Sequence, residues 1–311
     1  PSEDGLRAIA RALPEQPIDM FENGIGNAVC FTEIMRDIFG VQPDSAFGYS
    51  MGEISMMYAL GIWDGPDAMS KTLRSTPVFQ TRLAGRMDTL REAWDIPADA
   101  PDGSFWTGFT LLASAEDTAK AIGDDPYVKL LLINTSSSCV IAGKPENCGA
   151  VIEKLGCDYF PAALGDVIHC DLVRADYQGL SDLHLTPVNE VEGIDFYTAV
   201  DYKHLEVDMQ GIADNIAEMY CNPVDFPRLI DTVYEEGNRI FLELGPRDQC
   251  TKAIGATLHG KEHLAVAFNR KGATDHVSLL KSLALLYPTN EKELTLKLSL
   301  KMNLIRIAFN F

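Results

Sequence analysis

At 311 residues and 46% hydrophobic content, the chain can bury a sizeable core, which excludes a mainly disordered protein and fits one large domain or a large one carrying a small one. A formal net charge of −19 argues against a broad hold on nucleic acid or on an anionic membrane, since both rest on clustered Lys and Arg. The seven cysteines are odd in number and scattered, with no C-x-x-C pair and no ligand spacing to a histidine, so reduced thiols in a cytoplasmic setting are expected rather than a disulfide frame or a zinc site. Residues 1–20 carry Glu3, Asp4, Arg7, Arg11 and Glu15 where a secretory signal needs an apolar core, and no apolar run approaches the length of a membrane span.

Helical and strand-like stretches alternate along most of the chain, which predicts an α/β domain with a largely parallel sheet. Val29, Phe31, Ile34, Ile38 and Phe39 give a helical stripe over Ala28–Phe39. A short strand, Ser45–Tyr49, runs straight into Ser50-Met51-Gly52-Glu53, after which Ile54, Met57, Leu60 and Ile62 restart helical spacing. The middle reads as strand, helix, strand, strand, helix, strand: strands Thr107–Ala113, Val128–Ile133, Cys139–Ala142 and Tyr159–Ala163, with helices Ala115–Ile122 and Pro145–Leu155. This order predicts a ferredoxin-like lobe inserted into the larger domain.

Beyond His169 the pattern predicts a helix Leu172–Leu183, a strand Asp195–Val200, helices Asp208–Met219 and Pro227–Glu235, a strand Arg239–Leu244 stopped by Gly245-Pro246, a strand His263–Phe268 and a helix His276–Leu286. From 294 onward leucines alternate with polar residues and no acidic side chain occurs, a period that suits a strand; the stretch is read as a linker, an edge strand or a non-native end. The domain reading is therefore 1–106 and 164–290 for a large α/β subdomain, 107–163 for the small ferredoxin-like one, and 291–311 for a tail or linker.

Gly48-Tyr49-Ser50-Met51-Gly52 fits G-x-S-x-G, the nucleophile elbow in which a strand turns sharply into a helix and holds a serine at the apex. Side chains at the glycine positions would collide across so tight a turn. The helix that follows offers N-terminal amides, so the Met51 N–H is a candidate oxyanion donor. Gly24-Ile25-Gly26 lacks the third glycine of a dinucleotide loop, and Asp44, Glu53, Asp64 and Asp67 form no metal set, so no bound cofactor or metal is expected.

With Glu53 added, Gly48–Glu53 resembles the GHSxGE signature of malonyl-CoA:acyl-carrier-protein transacylases and polyketide-synthase acyltransferases, with Tyr49 in place of the usual histidine. Phe47–Tyr58 followed by Ala59-Leu60-Gly61-Ile62-Trp63 is most similar to the acyltransferase of polyunsaturated fatty acid synthases of the PfaB type. Three further matches follow in order: Asn134 with Val140-Ile141-Ala142-Gly143, Asn222-Pro223-Val224, and Phe241-Leu242-Glu243-Leu244-Gly245-Pro246. The resemblance reaches to about residue 287 and implies an α/β-hydrolase-like large subdomain with an inserted ferredoxin-like small one.

The resemblance also assigns roles. Ser50 would be the acyl nucleophile and His169, just after the small lobe in Val167-Ile168-His169-Cys170, its base. The main-chain carbonyl of Met219 would orient the histidine in place of a buried carboxylate. Arg74, one residue from the family's position at Ser75, and Asn134 would meet the substrate, Arg74 by pairing with a malonyl carboxylate. Implied substrates are a coenzyme A thioester and the phosphopantetheine thiol of an acyl carrier protein, and implied partners are the carrier and the other domains of a multidomain synthase, with no nucleic acid and no membrane. The family's glutamine-bearing first strand has no match before Ser50, which leads us to expect a missing N-terminal strand. Two other readings stay open: a thioesterase or esterase that releases product to water, and a non-catalytic scaffold fragment of a synthase.

Overall fold

The computed structural model describes residues 2, 5, 17–162, 164–286 and 305–309. In chain order these form helix α1 (Pro17–Glu33), whose stem continues as a π-helical turn over Ile34–Ile38, strand β1 (Ser45–Gly48), α2 (Gly52–Ala59), α3 (Pro66–Ser75), a second π turn at Val78–Arg82, and α4 (Asp88–Ala93). Next come β2 (Thr107–Leu111), α5 (Ala115–Ile122), β3 (Val128–Thr135), β4 (Ser138–Gly143), α6 (Pro145–Leu155), β5 (Tyr159–Ala162), a 3-10 turn at Asp171–Asp176, and α7 (Tyr177–His184). The remainder is β6 (Asp195–Tyr197), α8 (Met209–Cys221), β7 (Val224–Asp225), α9 (Phe226–Glu235), β8 (Ile240–Glu243), α10 (Gln249–Thr257), β9 (Leu264–Ala267), α11 (Asp275–Leu286) and β10 (Ile305–Phe309). No helix of the described residues is long and apolar enough to cross a membrane.

The chain divides into two compact units: a first comprising Pro1–Glu22, Asp67–Leu185 and Ala213–Asp225, and a second comprising Asn23–Pro66, Thr186–Ile212 and Phe226–Phe311. The first unit holds a five-stranded sheet in the order β5-β2-β4-β3-β7. Each neighbouring pair among its first four strands is antiparallel, and with α5 and α6 these strands give the ferredoxin-like order; β7 adds to β3 in parallel, Leu132 opposite Val224. Local chemistry explains why the two helices lie where they do. The Ser114 hydroxyl accepts the Asp117 N–H at 3.1 Å at the start of α5, and Pro145 opens α6, where its missing N–H is no loss. Gly156, at φ 58°, ends α6 in the left-handed conformation. Leu111, Val128, Cys139, Ile141, Cys148 and Val151 close the core between sheet and helices.

The second unit holds a sheet in the order β6-β1-β10-β8-β9 in which every neighbouring pair is parallel. β1 and β8 are buried along their whole length, as strands covered on both faces must be. Because all five run the same way, their C-terminal ends share one rim, where loops of parallel sheets carry ligands.

Several elements differ from the sequence expectation. The helix read at Ala28–Phe39 begins at Pro17, because Phe21, Ile25, Ala28 and Met35 make one buried stripe that carries the helix through Gly24 and Gly26 despite a cost of about 1 kcal/mol for each glycine. The helix read at Leu172–Leu183 starts as a 3-10 turn and becomes α-helical only at Tyr177. α10 was not anticipated, since Gly245-Pro246 reads as a stop and Gly255 interrupts the pattern; the buried Cys250, Ala253 and Ile254 hold it. Within the stretch read as a tail or linker, 305–309 is an interior strand, Arg306 standing between Ser45 and Phe241, not an edge one. The alternating residues 294–304 lie outside the described ones.

Ile141 has no exposed surface at the centre of the small lobe. Ile141→Ala is expected to destabilise it by about 3 kcal/mol through lost burial and a residual cavity, measurable as a lower urea midpoint with an unchanged slope.

Candidate active site

The second unit holds the turn that carries Ser50, the candidate nucleophile. β1 stops at Gly48 and α2 starts at Gly52, leaving three residues to reverse direction. A Cβ placed on Gly48 would lie 2.0 Å from the Glu53 nitrogen and 2.2 Å from the Gly52 carbonyl carbon, so no other residue fits there. Ser50 adopts φ 56°, a left-handed conformation that costs a non-glycine residue about 1 kcal/mol. The Gly52 N–H donates to the Tyr49 carbonyl and the Glu53 N–H to the Ser50 carbonyl, both at 3.0 Å. Among the described residues the Met51 N–H has no protein acceptor, which leaves a donor next to Ser50 at the start of a helix.

Two neighbours fix this turn. Glu53 is fully buried, and its carboxylate accepts the Ala199 N–H at 2.7 Å and the Thr198 hydroxyl at 3.2 Å, tying the turn to the loop after β6. Tyr49, the residue that departs from the resembled signature, packs its ring on Phe226 at 4.7 Å between centroids, beside Phe47. Burial holds its phenol far above the ordinary value, so Tyr49 is a neutral packing side chain.

The first unit holds His169, the candidate base. His169 is fully buried at φ 58°, and its Nδ1 lies 3.0 Å from the Met219 carbonyl. A carbonyl can only accept, so Nδ1 carries the proton and Nε2 the lone pair. Burial lowers the imidazole pKa to about 4, the Met219 hydrogen bond opposing that fall, and the ring is neutral at pH 7. Tyr220 lies parallel to it with centroids 6.0 Å apart, and the Cys170 N–H donates to the Tyr220 carbonyl at 3.3 Å. His184 stacks on the other reach of Tyr220, but its Nδ1 bonds the Leu180 carbonyl of its own helix at 2.7 Å.

The remaining expected residues are also in the first unit. Arg74, at the end of α3, bonds Asp19 at 2.5 Å and Glu22 at 2.8 Å with its guanidinium half exposed. Asn134, half-buried on β3, lies 3.5 Å from the Ser138 hydroxyl across the β3–β4 turn. The first unit thus brings His169 and Met219 together, and the second brings Ser50, Met51 and Glu53 together. The buried contacts of Glu53 and the Tyr220 ring were missed in the sequence, for which the GE pair and the Tyr before the Asn-Pro-Val segment were the available signals. Among the described residues no group of three or more His, Cys, Asp or Glu could hold a metal ion.

Known proteins resemble this chain in sequence and in fold. No protein-family model matches the chain. The chain is 30% identical over 300 residues, 92% of its length, to a component of the polyunsaturated fatty acid synthase of Thraustochytrium sp., and it spans 15% of that longer polypeptide. Its fold matches a malonyl-transacylase solved in complex with its type II polyketide-synthase acyl-carrier protein, with TM-score 0.68 and 19% identity, covering 86% of this chain and 80% of that one. It likewise matches an acyl carrier protein S-malonyltransferase from Vibrio cholerae, with TM-score 0.65 and 20% identity over 84% of this chain and 81% of the other. The resemblance read from the motifs and the expected α/β fold with its ferredoxin-like lobe are both upheld.

Two measurements test the local geometry. Gly48→Ala forces a side chain into backbone and is expected to cost about 3 kcal/mol or more, read by thermal unfolding. Because the folded pKa of His169 lies below its ordinary 6.5, the histidine's contribution to stability is complete above pH 6.5 and is lost as pH falls towards about 4. The midpoint of urea unfolding should therefore drop between pH 6.5 and 4.5, and drop less in His169→Gln.

Proposed function

We propose that this chain is an acyltransferase domain that moves an acyl group from coenzyme A through a Ser50 acyl-enzyme to the phosphopantetheine thiol of an acyl carrier protein, within fatty acid or polyketide synthesis in a cytoplasmic multidomain synthase. The observation that carries the reading is Ser50 itself, held left-handed at the end of a buried parallel strand, with glycine enforced at 48 and a Met51 amide that has no protein acceptor among the described residues.

In the first half-reaction the Ser50 Oγ attacks the thioester carbonyl as His169 Nε2 takes its proton. The Met51 N–H donates to the oxyanion. Collapse breaks the C–S bond, and the imidazolium returns the proton to the departing coenzyme A thiolate. In the second half the carrier's thiol gives its proton to Nε2, its sulfur attacks the acyl-serine carbonyl, and Ser50 leaves with the proton restored. The Met219 carbonyl holds Nδ1–H throughout and favours the transient imidazolium. A carbonyl orienter suffices because a thiolate leaves more readily than an amine, so the acid has less to do.

For the acyl group we take malonyl, with Arg74 receiving its carboxylate and Asn134 near the substrate. That role requires the malonyl group to displace Asp19 or Glu22 from the guanidinium. If Arg74 stays with those carboxylates, an uncharged acyl group is the better substrate.

Intact-protein mass spectrometry after brief incubation with malonyl-CoA or acetyl-CoA tests both levels. A mass gain of one acyl group is expected in the wild type, absent in Ser50→Ala and slowed by about 100-fold or more in His169→Ala. Loss of malonyl preference in Arg74→Ala supports the arginine's role, and an unchanged ratio removes it. A folded wild-type chain that no donor labels contradicts the acyl-enzyme and favours the scaffold reading, whereas an adduct that water removes faster than a carrier thiol favours the thioesterase.

A further inference from the structure

Three residues other than glycine have positive φ on the rim of the parallel sheet: Ser50 after β1, Tyr202 (φ 63°) after β6, and Arg247 (φ 76°) after β8. Left-handed backbone at non-glycine residues collects at functional sites, where the surroundings hold a strained position for a reason. Ser50 and Tyr202 have visible ones, the elbow and a guanidinium stack in which Arg228 lies 4.1 Å above the Tyr202 ring. Arg247 has no such partner. Its N–H donates to the Asn269 side-chain oxygen at 2.7 Å, and the Asn269 amide donates to Asp275 at 2.6 Å, so its backbone is clamped while its exposed side chain has no bonded partner among the described residues.

The clamp also joins two loops, the one after β8 and the one after β9, and the second supplies Arg270 and Lys271. Among the described residues none of these three cations is in an ion pair, whereas Arg74, Arg82, Arg86, Arg91 and Arg174 each are. In a chain of net charge −19 this is a local excess of positive charge. The nearby carboxylates are already bonded, Asp248 to Lys252 at 3.0 Å and Asp275 to Asn269. Only β10 stands between β1 and β8, so the rim positions of Ser50 and Arg247 are set two strand spacings apart, about 10 Å, before the arginine's reach is added.

We infer that Arg247, with Arg270 and Lys271, is an anion site that takes the phosphate end of the pantetheine arm while its thioester end meets Ser50. The inference rests on the acyl-transfer reading and gives it a means of holding the donor. A pantetheine phosphate is present both in coenzyme A and in the phosphodiester of a loaded carrier protein. Guanidinium groups suit such oxygens, because a fork of N–H donors meets them two at a time.

The test is the second-order rate of Ser50 acylation, by quench and intact mass, with three donors carrying one acyl group: acyl-CoA, an acyl carrier protein thioester, and acyl-pantetheine, which has no phosphate. The variant is Arg247→Gly, since glycine accepts the left-handed backbone and removes the side chain without strain. Acylation by a phosphate-bearing donor is expected to fall about tenfold or more, while acyl-pantetheine is unaffected and Arg247→Lys recovers part of the loss. A fall with acyl-CoA alone assigns the site to the donor, with the carrier thioester alone to the carrier, and with both to the shared phosphate. An equal fall with acyl-pantetheine, or no fall with either phosphate-bearing donor, overturns the inference. A labelled wild type with an unaltered variant sinks only this site; a wild type that no donor labels sinks the acyl-transfer reading and the site with it.

Discussion

The contact between Gly48 and the first turn of α2 is the constraint on which the conformation of Ser50 depends. With the strand's backbone pressed against the Glu53 nitrogen, the chain has one way to pass from β1 into the helix, and that way puts Ser50 in the left-handed region with the Met51 amide beside it. Conformational strain at the serine is held by contacts elsewhere: the buried Glu53 carboxylate grips the loop after β6, and Tyr49 is wedged on Phe226. A flexible loop carrying the same five residues would relax the strain and lose the fixed position of the serine.

The two units use burial in different ways. Burial keeps His169 neutral and therefore able to accept a proton, and the Met219 carbonyl supplies partial negative charge without adding a second ionisable group. The buried Glu53 accepts a backbone amide and a hydroxyl, which tie the turn to the loop after β6. Glu243 is a parallel case: its carboxylate accepts the Cys250 and Thr251 amides at the start of α10, and desolvation raises its pKa to about 7. The Glu of the Gly-Pro strand end thus acts as a helix anchor.

Much of this was legible in the sequence because it is written in local chemistry. The small lobe shows clear boundaries, with Ser114 capping α5, Pro145 opening α6 and Gly156 closing it, and both helices were read at the residues where they occur. The strand–serine–helix order at 45–59 was equally plain. What sequence could not give was set by tertiary contact. Arg74 lies one residue from the position at which the resembled family carries its substrate arginine, yet its carboxylate partners Asp19 and Glu22 lie in a helix that begins eleven residues before the one read there. α10 survives a glycine because its buried face packs, and the interior position of 305–309 depends on two strands far away in the chain. Arg247 carried no sequence signal beyond following Gly-Pro; its backbone angle and its lack of an ion pair among the described residues are properties of the folded chain.

The placement of β10 bears on how the second unit acquires its structure. Arg306 pairs with Ser45 on one side and Phe241 on the other, so the sheet joins segments that are remote along the chain through a strand remoter still. Until that strand docks, β6-β1 and β8-β9 are separate pairs, each with an unpaired edge facing the gap. Closing such long loops is slow relative to the hairpins and short crossovers of the small lobe, so the lobe can be complete while the nucleophile's own sheet is still in two parts. An open sheet waiting for its middle strand is the stage at which association with another chain most readily competes with folding.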